Sequence, residues 1–140
     1  MDNRIATYQT TDTMTTSQVD LIVKVYDGTI GQFSSAISSY EKGDISTAID
    51  HMEKARNALT HLYTTLDFEQ GGDIAKNLGE LYVFMINQTN LAAATGNRGF
   101  IEKNVDLLRN LREGWTGIRT QQSPMSPNAS QTSTSFNATA

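Results

Sequence analysis

Histidine is the side chain best suited to chemistry near neutral pH, and the sequence has two, His51 and His61. On one helix, ten residues of separation would leave their side chains roughly 80° apart and over two turns distant along the axis. They cannot share a metal ion, and no Glu-x-x-His pair of the kind that holds two metals in helical bundles occurs. Cysteine is absent, which removes thiolate ligands and disulfides together. Gly71-Gly72 invites a phosphate-loop reading, but Asp73 stands where the anion would dock. Serine, histidine and aspartate are all present without a nucleophile-elbow motif to frame them. No metal, cofactor or catalytic set is expected, and the chain reads as a non-enzyme.

Charge narrows the partners. The formal net charge is −4, a field that repels phosphate backbones. The most basic stretch, Arg98, Lys103, Arg109, Arg112 and Arg119, is interleaved with Glu102, Asp106 and Glu113, the pattern of a solvated face. Nucleic acid is not an expected partner. Nor is a membrane: no uncharged apolar run approaches the roughly 18 residues a spanning helix needs, and Met1 through Thr10 is too polar for a secretory signal. A cytoplasmic, soluble protein is expected.

The elements that position these residues are helices. Pro124 and Pro127 are the only prolines, so residues 17–120 can form long uninterrupted helices. Ser17 is an N-cap candidate, followed by Val19, Ile22, Tyr26, Ile30, Phe33, Ile37 and Tyr40 at three- and four-residue steps. Gly43 stops this helix and Asp44 caps a second, with Ile45, Ala48, Ile49, Met52, Ala55, Leu59, Leu62 and Leu66 on its apolar face. Gly71-Gly72 breaks the chain and Asp73 caps a third, bearing Ile74, Leu78, Leu81, Met85 and Ile86. After Gly96 and Gly99 a fourth carries Ile101, Val105, Leu108, Leu111, Trp115 and Ile118. Short glycine-bearing loops make sequential helices antiparallel neighbours. The expected fold is all-α, an antiparallel up-down four-helix bundle over residues 17–120. Residues 1–16 form an N-terminal arm with Ile5, Tyr8 and Met14 as anchors. Residues 121–140 carry no charge and few large apolar groups, the composition of a disordered tail.

Within such a bundle His51 has one further reading. His51-Met52-Glu53-Lys54-Ala55 loosely resembles the His-x-x-Lys-small motif of histidine phosphotransfer domains. Glu53 would bring negative charge close to the phosphoryl group, which weighs against it.

Two segments carry more apolar surface than a core needs. Leu21-Ile22-Val23 and Val25-Tyr26 are interrupted only by Lys24, and Leu81-Tyr82-Val83-Phe84-Met85-Ile86 has no polar residue. At about 100° per residue these stretches are apolar almost all round the helix. Something must cover the surplus: the N-terminal arm, a second copy of the chain in a simple dimeric adaptor, or a helix of another protein laid into a groove.

The residues also resemble a known family, the flagellin-specific export chaperones, from about Tyr8 to Trp115. The motifs are Tyr8-Gln9-Thr10-Thr11, Val25-Tyr26-Asp27-Gly28, Leu66 through Leu78 continuing into Leu81-Tyr82, and Leu107-Leu108-Arg109-Asn110-Leu111-Arg112-Glu113-Gly114-Trp115. The resemblance implies a cytoplasmic bundle that binds the disordered C-terminal segment of flagellin, prevents premature polymerisation and docks on a component of the flagellar export gate. Carried over by position, it implies client contacts at Tyr8, Ile22, Tyr26, Asn77, Leu81 and Tyr82.

Overall fold

The computed structural model describes residues 14–121 of the chain, with side chains through Ile118. They form four helices in order: α1 (Thr16–Glu41), α2 (Ile45–Thr64), α3 (Phe68–Thr95) and α4 (Gly99–Gln121). Each packs on its sequence neighbours, and α1 packs on α4 to close the ring, so α1 faces α3 only across the axis. This is the antiparallel four-helix bundle that the short loops require. The expected arm, apart from Met14, Thr15 and the first residue of α1, and the expected tail beyond Gln121 lie outside the described residues.

Caps explain where the helices start, and two starts differ from the sequence expectation. Thr15, not Ser17, caps α1, because Gln18 completes a capping box: Gln18 N donates to Thr15 Oγ1 at 3.1 Å and Thr15 N to Gln18 Oε1 at 2.7 Å. Asp44 caps α2 as expected, accepting from both the hydroxyl and the backbone N–H of Thr47. The Thr47 hydroxyl, then its N–H, holds the Asp44 carboxyl below its usual range.

Helix α3 begins at Phe68 rather than after the glycine pair. Asp67 accepts from the N–H groups of Glu69 and Gln70, which starts a turn before Gly71-Gly72 is reached. Gly72 then breaks the helix from within, at φ 53° and ψ −132°, a conformation that only glycine adopts without strain. Asp73 follows this kink and is exposed.

The core follows the expected stripes. Val19, Tyr26 and Phe33 from α1 meet Met52 and Leu59 from α2, Met85 from α3, and Ile101 and Leu108 from α4, all 0% exposed. Ile45 and Ile49 are the exceptions, exposed because Ala48 and Met52 turn α2's buried face away from them. No helix among the described residues is long and apolar enough to cross a membrane.

Candidate functional site

At one end of the bundle the helices part around a cavity of about 380 Å³. Its wall draws on every helix: Met14, Gln18 and Ile22 at the start of α1, Leu62 and Leu66 where α2 runs out, Ile74, Leu78 and Tyr82 of α3, and Trp115 of α4. The Gly72 kink shapes one side, placing buried Gly71 in the wall and carrying the first turn of α3 over the end of α2. Polar groups, Gln18, Thr65, Asp67 and Gln70, accompany the apolar ones. A concave, mostly apolar surface with a few placed polar groups is the usual form of a binding site.

A buried polar chain borders this cavity. Trp115 Nε1 donates to the Tyr26 hydroxyl at 3.1 Å, and the Tyr26 and Tyr82 hydroxyls share a hydrogen bond of 2.6 Å. The two phenol rings meet edge to face, centroids 6.3 Å apart. This contact runs through the bundle axis, joining α1 to α3. Burial raises the pKa of Tyr26, partly offset by its bonds to Tyr82 and Trp115. Burial also raises that of Tyr82 well beyond the phenol range, and Tyr26 adds to the effect. Both therefore stay protonated at neutral pH.

The residues singled out from the sequence divide between wall, core and surface. Ile22 and Tyr82 line the cavity. Tyr26 is wholly buried behind Tyr82, so its side chain is core first. Leu81 is half-buried and packs against the core beside the cavity rather than lining it. Asn77 is exposed on α3. Tyr8 lies outside the described residues. His51 is half-buried, its Nδ1 2.8 Å from Gln32 Oε1, which ties α2 to α1.

The apolar surplus is uncovered in part. Leu21 is 63% exposed, and Val83 and Phe84 of α3 are exposed as well. Lys103 of α4 stands 5.5 Å over the Phe84 ring, a cation–π contact. Val83 belongs instead to a second, more open groove with Tyr63, Phe68 and Gly79. There the Tyr63 and Phe68 rings, 5.8 Å apart, lie so close to Gly79 that an added Cβ would sit 3.2 Å from Tyr63.

Sequence reasoning missed the cavity because its wall is assembled from the ends of core stripes. Leu62, Leu66, Ile74, Leu78 and Trp115 all read as ordinary core positions. One signal was available: three of the four motifs that carried the resemblance, those within the described residues, meet here. Asp27 of Val25-Tyr26-Asp27-Gly28 accepts two hydrogen bonds from the Arg112 guanidinium of the closing motif, one of them 3.2 Å from Nη2 to Oδ2. Their neighbours Tyr26 and Trp115 are bonded to each other, and Tyr82 of the third motif completes the group.

Comparison with known proteins supports the resemblance read from the motifs. A sequence model of the family described as flagellar protein FliS matches residues 1–122. The flagellar secretion chaperone FliS of Salmonella typhimurium is 35% identical over 106 residues, covering 75% of this chain and 78% of that protein. Its counterpart of the same name in Vibrio cholerae is 30% identical over 91 residues, 65% of this chain and 67% of the relative. A third, from Campylobacter jejuni, is 26% identical over 102 residues, 73% and 80% of the two chains.

Proposed function

We propose a function from one premise: the chain belongs to the FliS family of flagellar proteins. The protein is an export chaperone of the bacterial cytoplasm. It binds the disordered C-terminal segment of flagellin, keeps it from polymerising early, and delivers it to a component of the flagellar export gate. It works by holding a partner, not by catalysis.

The observation that carries this reading is the cavity at the open end of the bundle, lined by Ile22 and Tyr82 from the two segments that are more apolar than a core requires. A disordered segment that folds into an amphipathic helix presents side chains at i, i+3, i+4 and i+7, and a cavity between helix ends accepts such anchors. Met14, the first described residue, is in the wall of this cavity. In this proposal the arm with Ile5 and Tyr8 guards the site until the client arrives, and Tyr8 then joins the client's contacts. Tethering gives a weak contact an effective concentration on the order of millimolar, enough to cover the cavity and still be displaced.

Calorimetric titration with the C-terminal segment of the same organism's flagellin tests the reading. The wild-type protein should bind it. Leu66→Asp, which puts a charge in the cavity wall, should weaken binding at least about tenfold, or 1.4 kcal/mol, while helical melting changes little. Wild-type protein that fails to bind would sink the proposal. Binding that survives Leu66→Asp would move the site elsewhere, the groove at Tyr63 and Phe68 being the next surface to probe.

A further inference from the structure

Tyr26, Tyr82 and Trp115 bring three hydrogen-bond donors together and use only two of them. An indole N–H can only donate, and that of Trp115 goes to the Tyr26 hydroxyl. Each phenol owns one proton, and the two share a single O···O contact. Whichever tyrosine donates across it, the other's proton has no acceptor among the described residues. The two arrangements are not equivalent. If Tyr82 donates, Tyr26 holds the spare proton, at 0% exposure and away from the cavity wall. If Tyr26 donates, the spare proton belongs to Tyr82, which lines the cavity. Both side chains are buried, Tyr82 to 1% exposure, but only the second arrangement puts the spare proton on a residue of the cavity wall. Donation from Trp115 polarises the Tyr26 hydroxyl, which in turn makes Tyr82 the stronger donor.

We infer that the Tyr82 hydroxyl is a specificity-determining donor of the cavity, and that the docked segment must present it an oxygen acceptor beside its apolar anchors. The inference rests on the cavity being the client site. A wholly apolar anchor would fill the space and leave a buried donor unpaired, so it is selected against. Asp67 is the charged residue in the wall, and its carboxylate disfavours an anionic acceptor. The match is a neutral oxygen: an amide carbonyl of the backbone, of Asn or of Gln, or a Ser or Thr hydroxyl.

Two tyrosine variants separate this role from a structural one, using the full chain and the C-terminal segment of its own organism's flagellin. Tyr82→Phe keeps the ring and leaves the number of unaccepted donors in the free protein unchanged, since the proton of Tyr26 becomes the spare one. It should bind the segment about 3- to 10-fold more weakly, and its melting should fall as well, because the spare proton of Tyr26 is then buried away from the cavity. Tyr26→Phe takes the acceptor from Trp115 and leaves the Tyr82 hydroxyl in place, so melting should fall while affinity stays within about twofold. Wild-type affinity in Tyr82→Phe overturns the inference and leaves the cavity reading intact. Tighter binding by that variant also overturns it, assigning the acceptor to the chain's own residues 1–13. No binding by wild-type protein overturns the cavity reading and this inference together. If Tyr82→Phe melts below the assay temperature, ultraviolet resonance Raman of the wild-type tyrosines decides. Their ring doublet must move toward the donor signature when the segment is added, and no movement overturns the inference.

Discussion

Where α1 turns into α2 and α3 into α4, two short connections, Lys42-Gly43-Asp44 and Gly96-Asn97-Arg98, close the bundle. At the opposite end a single connection, Thr65-Leu66-Asp67, lies beside the start of α1 and the last turns of α4, and the cavity opens there. The closed half buries small side chains, Ala36, Ala48 and Ala92, that let the helices approach. The Tyr40 hydroxyl donates to the Ala92 carbonyl at 3.4 Å, and Arg98 pairs with Glu41 at 3.5 Å. The open end carries large side chains that do not fill the space between them. Even the buried polar groups differ. Asn104 of α4 donates to the Met85 carbonyl and to Thr89 of α3, leaving its Oδ1 as a spare acceptor. The tyrosine pair leaves a spare donor beside a cavity. The spare group of the closed half is sealed among packed helices, whereas that of the open half sits on a residue of a cavity wall.

If that division is right, damage to the closed half should cost stability and leave recognition alone. Leu108→Ala removes a side chain that is 0% exposed. It should destabilise the bundle by about 2–5 kcal/mol, read by urea unfolding. Where the variant is still folded, its affinity for the flagellin segment should stay near wild type. A large affinity loss in the folded variant would mean the two halves are coupled.

Gly72→Ala sharpens the comparison from the open end. Its φ of 53° with ψ −132° is open to glycine and costs other residues about 1–3 kcal/mol. The strain should straighten the start of α3 and reshape the wall at Gly71, so stability and affinity fall together. Loss of stability with unchanged affinity would show that the kink does not shape the site.

The smallest effect is expected in alkali. The folded-state pKa values of Tyr26 and Tyr82 are raised by burial. Their stabilisation is complete below the unfolded value near 10 and is lost as pH rises above it. Above that point the cost grows with each further rise in pH. Melting should therefore drop between pH 9 and 11, and less steeply in Tyr82→Phe. Parallel curves for the two proteins would mean that Tyr82 ionises as readily in the folded protein as in the unfolded chain.

Periodicity and breakers made the four helices legible, because a stripe repeating every three to four residues can be buried on one side only. The N-cap at Asp44 was legible for the same local reason. The start of α3 was not. Asp67 and Asp73 are both plausible caps, and the choice depended on whether the turn before the glycines could dock against the end of α2. Ile45 and Ile49 fit the period but fell on the wrong edge of the stripe, since rotation about a helix axis is set by the neighbour it packs against.

By itself the sequence determined the helical class, the antiparallel order, the surplus of apolar surface around Ile22 and Tyr82, and the family motifs, all of which follow from local spacing. Only the tertiary structure decided that the surplus borders a cavity at one end, that Tyr26 is core while Tyr82 reaches the wall, and that Tyr26, Tyr82 and Trp115 form one chain of hydrogen bonds. These residues stand 56 and 89 positions apart from Tyr26. No periodicity links positions so distant; packing brings them together, and which proton is left over depends on distances that exist only after the helices have docked.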